Sequence, residues 1–192
     1  MTMKIAVDLD NTLADTTTVL TKLTNFKHGT TLTKESIVEW DYWRKSGLDE
    51  TFWAIYDLFD SIYLRRVLPP VHPLACPIVK MLEKAGNSVD ILTANNADAK
   101  KSIESWLFGH GLDTNVQTLG RISPEVKVTM DYDLFIDDSP KLIEPMKSAP
   151  GKTLILLDQP WNASIDVSGI PNIIRAKDWR QIQDIFEKMG AI

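Results

Sequence analysis

The feature of this sequence that most constrains its fold is a regular alternation of helical and strand patterns from Val71 onward. Apolar residues recur at helical spacing in some segments and form short continuous runs in others. The pattern predicts helices at 74–85, 98–108, 140–147 and 179–189, and strands at 89–92, 133–136, 153–157 and 172–175. A further apolar run, Lys4 to Val7, predicts the first strand. Such alternation is typical of an α/β fold in which helices flank a parallel sheet.

A second pattern interrupts this alternation after the first strand. Residues 16–70 are rich in aromatic side chains, have helical periodicity and end at Pro69-Pro70, which a regular helix does not cross. We expect one helix from Asp15 to His28, a second at 34–45 and a third that begins with Asp49 as its N-cap and continues to Tyr63. We therefore interpret residues 16–70 as a helical cap inserted into a core formed by residues 1–15 and 71–192.

Composition excludes several classes of function. A chain of 192 residues with 44% hydrophobic residues is long enough for a sizeable core. Its net charge of −5 argues against binding of long nucleic acid, which needs a concentrated basic face. We expect no membrane role and place the protein in the cytoplasm, since no segment reads as a membrane span or a secretion signal. The single cysteine, Cys76, excludes an internal disulfide and is expected to be a buried thiol.

Polar side chains follow three of the predicted strands. The ends of these strands read Asp8-Leu9-Asp10-Asn11-Thr12, Thr93-Ala94-Asn95 and Asp137-Asp138-Ser139. In an open α/β sheet, ligands bind beyond the carboxyl ends of the strands, so these groups are expected to converge. Neighbouring carboxylates repel one another, which favours a bound cation, and magnesium takes carboxylate and phosphate oxygens as ligands.

Each of these motifs also has an ordinary structural explanation. Asp and Asn commonly begin turns, Thr93 could be a simple strand-end hydroxyl, and Ser139-Pro140 is a normal helix start. Lys127 by itself would be a solvated surface lysine in most proteins. The ordered combination of an Asp-x-Asp-x-Thr motif, a Thr, a Lys and an Asp pair is much more specific than its parts.

This combination resembles the haloacid dehalogenase superfamily of phosphohydrolases over nearly the whole sequence. More narrowly, the chain is similar to the cytosolic and mitochondrial type of 5'(3')-deoxyribonucleotidase, because Lys127 stands ten residues before Asp137. The segments Leu157-Asp158-Gln159-Pro160-Trp161-Asn162 and Ala176-Lys177-Asp178-Trp179 are also similar to that family. One departure is Ser139, where the family commonly has Arg.

The resemblance implies a magnesium-dependent phosphatase with a haloacid dehalogenase-like fold. Asp8 would be the nucleophile that forms an aspartyl-phosphate, and Asp10 the general acid and base. The implied metal ligands are Asp8, Asp10 through its backbone carbonyl, and the pair Asp137 and Asp138, of which Asp137 is favoured as the direct ligand. The implied substrate-binding residues are Thr93, Ala94, Asn95 and Lys127, with Trp40 and Trp43 as candidates for contact with a base.

Several alternatives remain open at this stage. The substrate could be a nucleoside monophosphate, a sugar phosphate or another small phosphorylated metabolite. A receiver-like signalling domain also gathers acidic residues, a Thr and a Lys, although receivers place the acidic pair early rather than late. An inactive phosphate-binding protein is a third reading. The base, the sugar, the 5' or 3' position and the oligomeric state are not determined, and a homodimer is possible.

Overall fold

A computed structural model describes residues 2–192 and has a parallel sheet of six strands at its centre. The strand order is β3-β2-β1-β4-β5-β6. The strands are β1 (Lys4–Val7), β2 (Ser88–Thr93), β3 (Asn115–Thr118), β4 (Leu134–Asp137), β5 (Thr153–Leu157) and β6 (Ile173–Ala176). This arrangement confirms the expected α/β fold with a parallel sheet flanked by helices.

Strand β1 occupies a central position because its residues pair on both sides. Ile5 is in register with Val89 of β2 and with Leu134 of β4. Successive side chains of a strand point to opposite faces of the sheet. Ile5 accordingly contributes to one buried hydrophobic cluster and Ala6 to the other. Both faces of the sheet are therefore covered, as parallel sheets require.

The edge strand β3 was not predicted from the sequence. Its four residues, Asn-Val-Gln-Thr, are mostly polar, and only Val116 is fully buried. An edge strand pairs on one side alone, so it does not need the continuous apolar run that marks the central strands. Its pairing with β2 comes from the parallel ladder between Asp90 and Thr93 on one side and Asn115 and Thr118 on the other.

Helices cover the sheet and fill the segment after β1. They are α1 (Thr16–His28), α2 (Tyr42–Lys45), α3 (Asp49–Tyr56), α4 (Ile62–Arg65), α5 (Ala75–Lys84), α6 (Lys100–Gly109), α7 (Ile143–Lys147) and α8 (Trp179–Met189). Trp106 and Trp179 are fully buried in the packing of α6 and α8, as expected, and Cys76 is a buried free thiol. None of the described helices is both long enough and apolar enough to cross a bilayer.

Residues 16–70, which we call the helical insertion, are more broken than the sequence predicted. The helix expected at 34–45 is a 3₁₀ turn at Lys34–Ser36 followed, after a gap, by α2. The Ser36 hydroxyl donates to the Thr33 carbonyl and accepts from the Thr33 N–H, which caps the start of this short turn at Thr33.

The helix expected from 49 to 63 is also interrupted. It consists of α3, a 3₁₀ turn at Asp57–Asp60, an extended Ser61 and then α4, and Leu48 rather than Asp49 is the N-cap residue. The Arg65 side chain donates to the Phe59 carbonyl at 2.9 Å, which satisfies a backbone acceptor at this interruption.

Candidate active site

The loop after β1 places its polar residues by a tight local turn. Asn11 has a left-handed backbone with φ of 60°, a conformation that Asn tolerates better than most residues. The Asn11 side chain then accepts a hydrogen bond from the Thr17 N–H at 2.8 Å, and Gln159 donates to the Asn11 carbonyl at 2.6 Å. Leu9 and Leu13 are fully buried beneath the turn. The sequence thereby anchors the loop that carries Asp8 and Asp10.

Three carboxylates and one ammonium group meet where β1 and β4 end. Asp8 follows β1, Asp137 is the last residue of β4, and Asp138 comes next. Each of the three offers an oxygen that lies within 4.8 Å of the others. The Lys127 ammonium donates to Asp8 Oδ1 at 2.6 Å and to Asp137 Oδ2 at 2.7 Å. Lys127 is 3% exposed, so it is an internal counter-ion and not the solvated surface lysine that its isolated sequence context allows.

The electrostatics of this cluster indicate an excess of negative charge. Burial raises the pKa of Asp8 well above its ordinary value, and Asp137 and Asp138 add to the increase although Lys127 opposes it. Burial and the neighbouring Asp137 raise the pKa of Asp138 to about 7. Burial alone would lower the pKa of Lys127, but the two carboxylates that it contacts raise it overall. One lysine therefore does not compensate three buried carboxylates.

This donor set fits a divalent cation. All three candidate ligands are carboxylates, which suit hard oxygen-seeking ions, and a bound cation would relieve the repulsion that, after burial, adds to the raised pKa values of Asp8 and Asp138. The ligands are also oriented from outside the cluster. Thr12 Oγ1 donates to Asp138 Oδ1 at 3.2 Å, and Trp161 Nε1 donates to Asp138 Oδ2 at 2.9 Å. Such outer contacts fix the direction of a ligand and adjust its affinity for metal.

The Asp10 carboxylate has a different environment. Its Oδ1 accepts a hydrogen bond from Thr16 Oγ1 at 2.5 Å, and its Oδ2 accepts from Tyr56 at 2.5 Å and from Asn95 Nδ2 at 2.7 Å. Burial and the negative charge of Asp10 raise the pKa of Tyr56 well above its ordinary value, so this hydroxyl keeps its proton and donates. The Asp10 side chain is thus turned towards the helical insertion, and its use as a metal ligand would rest on its backbone carbonyl.

The Thr93 loop joins this second group. Asn95 Nδ2 donates to Thr93 Oγ1 at 2.7 Å, so one amide links the predicted phosphate-binding hydroxyl to Asp10. Arg65, which is fully buried, donates to Asn95 Oδ1 at 3.3 Å and to Ser102 Oγ at 2.8 Å. Its other terminal nitrogen lies 3.9 Å from Asp10 Oδ1. Arg65 therefore connects the helical insertion, the Thr93 loop and Asp10.

A cavity of about 450 Å³ opens above these groups. Its floor contains Asp8, Asp10, Thr93, Lys127 and the Asp137-Asp138 pair, and Ala94 also lines it. The opposite wall consists of aromatic side chains of the helical insertion, namely Trp40, Phe52, Trp53 and Tyr56. Trp40 thus faces this cavity, as the sequence led us to consider. Trp43 is buried and lines an adjoining cavity of about 420 Å³, which shares Trp40, Phe52 and Trp53 with the first.

Several residues of the cavity were missed from the sequence. Phe52, Ile55 and Tyr56 have the spacing of one buried helix stripe, so the pattern predicts that Phe52 and Tyr56 pack inside the insertion. Arg121 and Ser123 lie in the loop after β3, which has no recognisable motif, and Lys141 lies in a 3₁₀ turn at Pro140–Leu142. Arg121 follows the unpredicted strand β3, forms an ion pair with Asp57 and has its guanidinium carbon 4.9 Å from the Trp53 ring centre. The aromatic content of residues 16–70 was the one feature of the sequence that indicated an aromatic wall at this cavity.

Comparison with known protein families identifies the family of this chain. Residues 2–190 match the family model described as 5' nucleotidase, deoxy (pyrimidine), cytosolic type C protein. The chain belongs to this nucleotidase family. Membership confirms the resemblance inferred from Asp8, Thr93, Lys127 and the Asp137-Asp138 pair, and it makes the protein a phosphoric monoester hydrolase. Family membership therefore argues against a receiver-like signalling domain and against an inactive phosphate-binding protein.

Several solved structures have a fold similar to that of this chain. A haloacid dehalogenase family hydrolase from Deinococcus radiodurans R1, solved with bound phosphate and sodium, superposes with a TM-score of 0.61 at 11% identity, covering 99% of this chain and 96% of that one. A haloacid dehalogenase-like protein of unknown function from Agrobacterium tumefaciens gives 0.63 at 11% identity, covering 99% and 100%. At such low identity these structures support the fold alone. No curated protein sequence matches the chain significantly.

Proposed function

We propose that this protein is a magnesium-dependent phosphomonoesterase that removes phosphate from nucleoside monophosphates, including deoxyribonucleotides, through an aspartyl-phosphate on Asp8. The observation that carries the proposal is the cavity that has the Asp8 cluster as its floor and aromatic rings as its wall. The floor suits a phosphate and the wall suits a flat, partly apolar group. The family assignment supports a nucleotide as the molecule that presents both.

Asp8 is the proposed nucleophile. It is 8% exposed, lines the cavity and has one oxygen held by Lys127. One Asp8 oxygen forms a bond to phosphorus while the bond to the leaving oxygen breaks, which gives the aspartyl-phosphate. Water then attacks phosphorus and returns Asp8 as a carboxylate. A covalent route of this kind divides one difficult hydrolysis into two easier steps.

Asp10 is the proposed acid and base for these two steps. The first step uses Asp10 in its protonated form, which gives its proton to the leaving oxygen, and the resulting carboxylate takes a proton from the attacking water in the second step. General acid–base catalysis of this kind typically contributes ~10²–10⁴-fold. Thr93, the backbone at Ala94, Asn95 and Lys127 are proposed to bind the phosphoryl oxygens. These polar groups are fixed before the substrate arrives, which is the main source of catalysis in phosphoryl transfer.

We propose magnesium as the cation of the carboxylate cluster. Asp8, Asp137 and Asp138 would hold it, together with the backbone carbonyl of Asp10. When bound, magnesium supplies charge neutralisation between the phosphate and the carboxylates and orients the phosphate towards the nucleophile. Of the pair, we favour Asp137 as the direct ligand and Asp138 as a direct or water-mediated ligand.

The helical insertion, residues 16–70, is the proposed cap over a core of residues 1–15 and 71–192. Its aromatic side chains would select the substrate, with Trp40 at the catalytic cavity and Trp43 at the adjoining one. Stacking of a base on an aromatic ring is worth ~1–3 kcal/mol.

The acidic net charge of −5 makes long nucleic acid an unsuitable substrate, and we place the enzyme in the cytoplasm in line with the description of its family. A homodimer remains part of this proposal and is testable by sedimentation.

The test is phosphate release from deoxyribonucleoside monophosphates, ribonucleoside monophosphates and sugar phosphates, each with magnesium and with a chelator. We expect turnover of nucleotides that disappears with the chelator and in Asp8→Asn. Preference for sugar phosphates would replace the nucleotide with a metabolite substrate but would keep the phosphatase. Full activity in the chelator would refute the role of magnesium.

A further inference from the structure

The helical insertion supplies two of the three hydrogen bonds that hold the Asp10 carboxylate. Thr16, at the start of α1, binds one oxygen, and Tyr56, at the end of α3, binds the other. The third donor, Asn95, belongs to the loop after β2. Asp10 itself follows β1, so its side chain is held between the core and the insertion. The Asp8 cluster, in contrast, is built from strand ends and Lys127.

The Tyr56 hydroxyl is held in place by packing on several sides. The Tyr56 ring stacks on Phe52, with centres 5.5 Å apart and an angle of 20° between the planes. It also meets the edges of Trp53 at 5.9 Å and Phe59 at 6.3 Å. Tyr has only two side-chain torsions, so a ring fixed by three neighbours directs its hydroxyl at one point. That point is Asp10 Oδ2, at 2.5 Å.

The same hydroxyl group belongs to the catalytic cavity, because Tyr56 lines it together with Asp8 and Asp10. A single carboxylate has to protonate a leaving oxygen and later accept a proton from water. Both transfers need the carboxyl group within hydrogen-bond reach of the reacting oxygen and correctly oriented. A donor that restricts rotation of this side chain therefore affects the chemical step, not only the packing of α3.

We propose that Tyr56 is a positioning residue for Asp10, so that the insertion orients the acid and base of the reaction when it is seated on the core. This inference rests on the proposed function of Asp10. In the first step, the bond from phosphorus to the leaving oxygen breaks, its electron pair stays on that oxygen, and Asp10 transfers its proton there. Tyr56 gives up no proton in the reaction. It keeps the Asp10 carboxyl group directed along the line of this transfer.

A positioning role predicts a dependence on the leaving group that a packing or binding role does not. Protonation matters most when the leaving oxygen is strongly basic and least when it is already stable as an anion. Phenyl phosphate and 4-nitrophenyl phosphate have nearly the same shape but leave oxygens of very different basicity. Loss of acid assistance should therefore lower the rate for phenyl phosphate far more than the rate for 4-nitrophenyl phosphate.

The experiment compares kcat/KM of the wild type and Tyr56→Phe for a series of substituted phenyl phosphates in the presence of magnesium. The parameter kcat/KM reports the steps up to transfer of phosphate to Asp8, so slow hydrolysis of the aspartyl-phosphate does not mask the result. We expect Tyr56→Phe to lose ~10-fold or more with phenyl phosphate and under ~3-fold with 4-nitrophenyl phosphate, a part of the general-acid contribution. Asp10→Asn should show the same trend more strongly.

Tyr63→Phe is the matched control, because it makes the same chemical change in the same insertion at a side chain that is 81% exposed. It should leave every rate unchanged. Tyr56→Met removes the hydroxyl in a second way and must show the same steepened dependence, which covers the case in which Tyr56→Phe folds poorly. An equal loss for all phenyl phosphates, or no loss, overturns the inference for Tyr56. Failure of the wild type to release phosphate from these substrates and from nucleoside monophosphates alike refutes the proposed function instead.

Discussion

The two carboxylates that follow β1 lie two residues apart and have opposite kinds of surroundings. Asp8 belongs to a buried cluster of like charges at strand ends, in which Lys127 is the one contacting cation among the described residues. Asp10 accepts hydrogen bonds from the neutral groups of Thr16, Tyr56 and Asn95, two of them in the helical insertion. The charged cluster is thus built from strand ends of the sheet, whereas the contacts of Asp10, the proposed acid and base, are shared with the helical insertion.

This difference suggests how one site can assign different roles to neighbouring Asp residues. A charged cluster at strand ends is held rigidly, because parallel β1 and β4 fix the positions of Asp8 and Asp137 through their ladder. Hydrogen bonds from the insertion are made only when that layer is in place. Four experiments can break or sharpen this comparison, and they are ordered here from the largest expected effect to the smallest.

Removal of Asp8, the proposed nucleophile, should separate activity from stability. Asp8→Asn is expected to reduce phosphatase activity by at least ~10³-fold, as loss of a nucleophile does in other covalent enzymes. Without metal, Asp8→Asn should be as stable as the metal-free wild type or more stable, because burial already disfavours the charged form of Asp8. Phosphate release with magnesium measures the first effect, and urea denaturation in a chelator measures the second. A large loss of stability would show that the Asp8 charge supports the fold.

Removal of the buried cation should damage both properties. Lys127→Met leaves three neighbouring carboxylates without their counter-ion, and breaking a buried pair in this way costs ~3–5 kcal/mol of unfolding free energy. We expect a lower denaturation midpoint in urea and loss of phosphate release. Lys141→Met is the control, since Lys141 also lines the cavity but is not one of the cations that contact the cluster. Equal stability of both variants would contradict the role of Lys127.

Removal of Arg65 should affect the other half of the site more mildly. Arg65→Met loses hydrogen bonds to the Phe59 carbonyl, Ser102 and Asn95. We expect a loss of ~1–3 kcal/mol of unfolding free energy, because Asn95 Oδ1 loses its donor and the Phe59 carbonyl keeps only the hydrogen bond from Ser102. Metal affinity should stay within about 2-fold, because Arg65 contacts the Asp10 half and not the carboxylate cluster. Calorimetric titration with magnesium checks this. A large drop in metal affinity would mean that the two halves are tightly coupled.

The smallest effect concerns pH and metal. In the metal-free protein the pKa of Asp138 is raised to about 7, mainly by burial, whereas in the unfolded chain it is near its ordinary value of about 4. A carboxyl group with a raised pKa in the folded state contributes stability below pH ~4 that is lost as pH rises to ~7. Magnesium binds the charged form, so its increase of Tm should be larger at pH 8 than at pH 5.5. Asp138→Asn should reduce this difference, and the raised pKa of Asp8 should account for what remains.

The strand ends were predictable from the sequence because their chemistry is local. An apolar run followed by acidic residues identifies Asp8 and Asp137 without any knowledge of what packs above them. Parallel pairing then brings them together, so the predicted convergence of these groups requires only the correct fold. The helices that flank the core were predictable for a similar reason, since their apolar periodicity is strong in segments such as α5 and α8.

The insertion was harder to predict because side-chain contacts over long separations decide its shape. Periodicity at 49–63 favoured one helix, but the backbone is extended at Ser61, and the buried Arg65 compensates a carbonyl freed there. The role of Tyr56 could not be inferred from its spacing, which is that of a packing residue. Its hydroxyl reaches Asp10 across 46 positions of sequence, and no local pattern reports such a contact.

The central position of β1 has a consequence for the order in which this enzyme can form during synthesis. β1 is made before both of its neighbours, since β2 and β4 begin 84 and 130 positions later. Until β4 has left the ribosome, one edge of β1 has no partner and Asp8 has no Asp137. Contacts of such long range make folding slow and leave apolar strands unpaired in the meantime. The nascent chain is therefore without its carboxylate cluster, and prone to aggregation, until the residues around Asp137 have been made.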